Sequence, residues 1–185
     1  HRESEEPAKV RIETIDGPVT PPLAETQNIA AALTRSTAFV QGTAKLFIDW
    51  AETFRSNNLN TLDTVDQTMF FKAGGDAMIY YLHGYWDIPS GKALKIKTSI
   101  PECEGWNFQL NNIWMESLDY RYHDIHVNNA SAKLDDDGGV TIIVGERDPG
   151  IGNWLDTAGH TRGTMLLRWT GANEHPVPTC EVIDL

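Results

Sequence analysis

Two stretches decide how this chain reads: GWNFQLNNIWMESLDYRYHDIHVNN at Gly105–Asn129 and GERDPGIGNWLDTAGH at Gly145–His160. Trp106, Trp114 and Trp154 fall inside them, and Trp169 follows closely. Large apolar residues alternate there with Asn, Asp, Glu, Arg and His. Alternation of period two sends successive side chains to opposite faces of a strand. The pattern therefore predicts β structure carrying polar loops, which serve either as a ligand site or as a hydrogen-bonded set that fastens the scaffold.

Outward from these stretches the same period continues. It predicts strands at Thr68–Lys72, Ala77–Trp86, Ala93–Thr98, Trp106–Trp114, Leu118–His126, Ala130–Leu134, Val140–Glu146, Thr164–Trp169 and Cys180–Ile183. Gly74-Gly75, Pro89-Ser90-Gly91, Pro101, Pro149-Gly150, Gly171 and Pro176–Pro178 separate them. Many short strands with such punctuation point to a mainly β fold, an antiparallel β-sandwich or jelly-roll spanning residues 65–185.

Before residue 65 the period changes. Ile29, Leu33, Val40, Ala44, Phe47, Ala51 and Phe54 recur at helical spacing, which predicts a long amphipathic helix over residues 20–58, or a helix pair joined near Thr34–Thr37. Thr20 reads as the N-cap, with Pro21-Pro22 in the first turn and Asn57-Asn58 as the stop. The apolar stripe is expected to pack over a sheet. Ahead of it, residues 1–19 read as an extended N-terminal arm in which Val10 and Ile12 alternate with charged residues in a strand at Lys9–Ile15. That strand either edges its own sheet or completes a neighbouring subunit's.

The 185 residues carry a net charge of −11, with 41% hydrophobic and 22% charged residues. A strongly acidic chain argues against nucleic-acid or anionic-membrane partners, which need basic patches. No apolar run reaches the roughly 20 residues needed for a membrane span. The sequence opens at His1 without Met, as a processed precursor or a fragment would. Cys103 and Cys180 allow one disulfide in an oxidising compartment, or two buried thiols in a reducing one. Asn129-Ala130-Ser131 is an N-glycosylation sequon, relevant if the chain is secreted.

Chemistry is concentrated in a few candidates. Asp135-Asp136-Asp137-Gly138-Gly139 has contiguous acids instead of the alternating ligands of a calcium loop, so it reads as a turn. Glu116, Asp119, His123 and His126 lie close in sequence, but on a regular strand the two histidines face opposite ways, so no metal ligand set is assigned. Asp148–His160 is a long polar loop with three glycines, in which Asp156 and His160 could form an acid–base pair, with Arg162 or Arg168 holding an anion. No Ser or Cys stands in a nucleophile-elbow motif. No cofactor is expected.

Several blocks carry a family resemblance: Tyr81-Leu82-His83-Gly84-Tyr85-Trp86, Cys103–Leu110, Trp114–Tyr120, and Asp148–Gly150 through Asn153-Trp154-Leu155-Asp156-Thr157-Ala158-Gly159-His160. Over roughly residues 70–170 the chain resembles the bacterial domain-of-unknown-function 1214 family. The resemblance implies a β-sandwich often preceded by a helix and often found beside a companion domain of the 1254 type, which this chain is too short to hold. It transfers no activity. Two functional expectations follow. The first is a secreted, extracellular or cell-surface assembly protein whose arm, through Val10 and Ile12, builds homo-oligomers or filaments, with glycans at Asn129. The alternative is an enzyme or a small-ligand or carbohydrate-binding domain using region 105–160, with Glu116, Asp119, Asp156 and His160 as its candidate groups.

Overall fold

The computed structural model describes residues 9–13, 15–17 and 25–185. The chain divides into two compact units, His1–Val40 and Gln41–Leu185. In the first unit Lys9–Glu13 forms no strand, and Val10 and Ile12 are 80% and 92% exposed. The strand expected at Lys9–Ile15 is therefore not formed among its described residues. The helix entry read at Thr20–Pro22 lies outside the described residues.

Helix α1 runs unbroken over Thr26–Asn57, so the expected stretch is one helix and not a pair. At the suspected joint, the Thr34 and Thr37 hydroxyls donate back to the Ala30 and Leu33 carbonyls at 3.1 and 3.0 Å, which keeps both side chains within the helix. The apolar stripe does not serve as core along its whole length. Ile29, Leu33 and Val40 are exposed, whereas in the second unit Ala51 and Phe54 are buried.

The second unit is mostly sheet. One sheet holds β1 (Asp63–Thr64), β2 (Ile79–Asp87), β8 (Arg162–Thr170), β4 (Gly105–Leu110) and β5 (His126–Asn128), in that spatial order. The other holds β7 (Asn153–Asp156), β6 (Val140–Gly145), β3 (Lys92–Thr98) and β9 (Thr179–Asp184). Among the described strands every pairing is antiparallel except β6 with β7, which is parallel. Both sheets feed one apolar cluster: Leu82, Trp86, Phe108, Leu167 and Trp169 from the first, Leu94, Ile96, Ile142, Val144 and Leu155 from the second.

Three predicted strands are absent. Thr68–Lys72 belongs to a short helix, α2 (Gln67–Lys72), because the Asp66 carboxylate caps it by accepting from the Thr68 amide at 2.9 Å. Leu118–Ile125 is irregular and turns at Tyr120–His123, and only His126 belongs to a strand. In the turn Asp119 accepts from the Arg121 amide at 3.1 Å, and Tyr120 and Tyr122 point to solvent, so their alternation marks no buried face. Ala130–Leu134 is irregular, since Asn128 Oδ1 holds the Ala130 and Ser131 amides in a turn. The Asp135–Gly139 turn is present as expected: the Gly138 amide donates to Asp135 O, with φ +78° at Gly138.

The attachment of α1 and α2 to the first sheet follows from β2. Its alternation places Leu82 and Trp86 in the shared core and Tyr81, His83 and Tyr85 on the opposite face. There the His83 ring stacks between Phe54 of α1 (centroids 4.5 Å apart) and Phe70 of α2 (4.7 Å). Asn58, just past α1, donates its side-chain amide to the His83 carbonyl at 3.0 Å. At Gly84 a Cβ would lie 2.0 Å from the Thr61 carbonyl, so only glycine admits the chain that crosses there.

His83 is 2% exposed and its Nδ1 has no hydrogen-bond partner. Burial, helped by the nearby Arg168 charge, lowers its pKa from 6.5 to about 3. The unfolded chain therefore takes up this proton first as pH falls. The contribution of neutral His83 is complete above pH 6.5 and is lost progressively toward pH 3, at up to about 1.4 kcal/mol per pH unit. Denaturant titrations of the native chain and His83→Phe should show the variant gaining relative stability as pH drops from about 7 to about 5. Parallel pH profiles would refute this account.

Candidate functional site

The Asp148–His160 segment contains a strand that the sequence reading took for loop. Asp148 Oδ1 accepts from the Gly150 amide at 2.8 Å to form the turn. Gly152 has φ +63°, and a Cβ there would lie 2.9 Å from the Thr141 carbonyl. The chain thus comes close enough to β6 for β7 to pair with it. Asn153 fastens this strand. Its Oδ1 accepts from the Lys133 amide at 2.7 Å, and its Nδ2 donates to the Lys133 and Thr141 carbonyls at 2.9 and 2.8 Å. Trp154 Nε1 donates to the Gly145 carbonyl at 3.1 Å, and Leu155 enters the core.

Asp156 does not pair with His160, contrary to the acid–base pair read from the sequence. Its Oδ2 lies 2.7 Å from His123 Nδ1, and its Oδ1 accepts from the Ala158 amide at 2.8 Å. The pairing is long-range: His123 reaches Asp156 from the turns that replace the expected strand. Sequence spacing could not reveal it. His160 is exposed and borders a cavity of about 50 Å³ beside Ser90 and Glu146, where Glu146 already accepts from the Ser90 hydroxyl and the Gly91 amide. That volume holds a few waters and no organic substrate.

The remaining candidates are also engaged in local structure. Glu116 Oε2 accepts from Asn112 Nδ2 at 2.8 Å, and Asp119 caps its own turn and pairs with Arg121 Nε at 3.5 Å. Arg162 stands opposite Asp87 in the β2–β8 register, and Arg168 stands opposite Tyr81. Burial lowers the pKa of Arg168. Among the described residues no group of three or more His, Cys, Asp or Glu is placed to hold a metal ion. No disulfide joins Cys103 and Cys180. Both are free, half-buried thiols whose pKa values burial pushes up. A groove of about 400 Å³ does run along β7, bordered by Asp124, His126, Lys133, Asp148 and Trp154.

The sheet edges offer a different kind of site. The edge strands of the first sheet have two and three residues, and β7 has four. The edge strand β9 has six, and it contains neither Pro nor Lys. Short edges resist strand addition, whereas a long regular one invites it. Val182 of β9 lies opposite Leu94 on the core-facing side yet is 42% exposed. The basic residue nearest Val10 and Ile12, Arg11, pairs among the described residues with Glu13 of its own segment. Sequence alternation located β9 but gave no sign that it would be an edge.

Neither a protein-family model nor a curated protein matches the chain. Among solved structures it is similar to an uncharacterized protein from Burkholderia cenocepacia, at 45% identity and a TM-score of 0.89 over 100% of this chain and 51% of that one. The chain thus spans about half the length of that protein. A protein from Vibrio parahaemolyticus aligns at 14% identity with a TM-score of 0.48, over 90% of this chain and 48% of that one. No described helix is long and apolar enough to cross a membrane.

Because Asn153 ties three backbone groups together, Asn153→Ala should destabilise the second unit by about 2–3 kcal/mol. Asp156→Asn should cost less, because it keeps the bond to the Ala158 amide. Equal losses in chemical denaturation would contradict this ranking.

Proposed function

We propose that the chain is an extracellular or cell-surface assembly module in which the arm of one copy adds to the open edge of β9 in another, building oligomers or filaments. The length and exposure of β9 carry this reading. As an added strand, the arm would put Val10 and Ile12 on one face and Lys9 and Arg11 on the other. The apolar pair would extend the row begun by Cys180 and half-exposed Val182, and the basic pair would meet Glu181. A segment that pairs with no strand among the described residues, with Ile12 92% exposed, supports a partner in trans.

On this reading the two sheets with their common core form a β-sandwich of the jelly-roll class, and the chain is a member of the 1214 family. Its span of half the Burkholderia protein leaves room there for a companion domain of the 1254 type. Asn129 is exposed in the turn after β5, accessible to glycosylation in a secretory compartment.

Sedimentation of the full-length chain over a concentration series, with electron microscopy, tests the proposal. The native chain should form concentration-dependent oligomers or filaments, and the V10D/I12D variant should stay monomeric. Arg11→Glu should weaken association about tenfold, and adding Glu181→Lys should restore it. A native chain that remains a monodisperse monomer throughout would overturn the proposal.

A further inference from the structure

A groove of about 440 Å³ lies in the second unit, between the later turns of α1, the end of β2, the start of β8 and the loop after β4. The volume falls within the range of small-molecule sites, about 300–1,000 Å³. Trp114 borders it and is 47% exposed. The loop that carries this indole is fixed. Asn112 Oδ1 accepts from the Trp114 and Glu116 amides at 2.8 and 3.1 Å, and Asn112 Nδ2 donates to Glu116 Oε2. Met115, next in the chain, has φ +61°, a conformation that L side chains rarely adopt. Glu116, a catalytic candidate by sequence, thus helps position Trp114.

The opposite wall is polar and balanced. Glu52 and Arg55 pair with each other at 2.8 Å. Asp87 and Arg162 face each other in register on β2 and β8, and among the described residues neither forms an ion pair. Asn60 clamps the Asp87 backbone from both sides, donating to its carbonyl at 2.9 Å and accepting from its amide at 2.8 Å. The Tyr85 ring is buried beside them, and burial raises the phenol pKa, so its hydroxyl remains a donor at neutral pH. Two carboxylates and two guanidiniums cancel, so a net charge on the ligand gains little. One carboxylate acceptor and one guanidinium donor remain unengaged beside an exposed indole face. Hydroxyl groups, which donate and accept at once, match that pair, and the C–H face of a sugar ring matches the indole.

We propose that this groove binds an uncharged saccharide, its ring stacked on Trp114 and its hydroxyls bridging Asp87 and Arg162. The test is a glycan array spanning neutral α- and β-linked hexose and N-acetylhexosamine oligosaccharides, followed by calorimetric titration of the full-length chain with the best-retained glycan. At least one neutral glycan should bind. Trp114→Ala and Asp87→Asn should each weaken it about tenfold or more, with thermal unfolding unchanged in Asp87→Asn. Silence across the neutral glycans, binding indifferent to both substitutions, or Arg162-dependent binding of inorganic phosphate or glutamate without any neutral glycan would each overturn the proposal.

Discussion

The second unit depends on how β2 is used on both faces. On one face Leu82 and Trp86 join the core shared by the two sheets, and on the other His83 is held between Phe54 and Phe70. A histidine in that position carries a desolvated nitrogen without a partner, which a phenylalanine would not. Its ring nevertheless fills the space between two helices, and its backbone carbonyl receives Asn58. Gly84, the next residue, lets the chain leaving α1 pass close against the strand and deliver Leu62 to the core. Leu82, His83, Gly84 and Trp86, within five consecutive positions, thus fix the helix, the crossover and the core together.

The same economy explains the Asn-Trp-Leu-Asp block. Asn153 ties β7 to the Lys133 segment, Trp154 bonds to β6, Leu155 fills the core and Asp156 draws in His123. A polar, aromatic, glycine-rich stretch resembles an active site in sequence because both need converging hydrogen-bonding groups. Here the groups converge on the backbone. The exposed surfaces that remain free of such duties, the β9 edge and the groove beside Trp114, lie outside that block.

Much of the sheet was legible from period alone. The strands at Ile79–Asp87, Lys92–Thr98, Val140–Gly145 and Arg162–Thr170 fall where alternation placed them, since each buries one face or both, and the edge strand Thr179–Asp184 also falls there although none of its residues is fully buried. The failures share a cause. Thr68–Lys72 and Leu118–His126 alternate, but a side-chain cap or turn bond holds the backbone more firmly than a short apolar pattern could. The helix was visible, but its partial burial was not, because amphipathicity shows that a face seeks cover and not where the cover lies. The partner of Asp156, His123, comes from a distant segment, so no spacing rule could have found it. The charges around Trp114 were legible only one residue at a time.

The pairing of β3 with β9 has a consequence for synthesis. Thr179 reaches back to Lys97 across 82 residues, and β9 follows every other strand of the two sheets in sequence. Until it emerges, β3 has β6 on one side and an open row of amides and carbonyls on the other. Loop closure over such separations is slow, and unpaired edges are the sites of misassociation. The nascent chain therefore spends its most vulnerable interval with the central part of its second sheet unprotected. Folding yield should be governed by how soon β9 arrives, more than by how tightly the core finally packs.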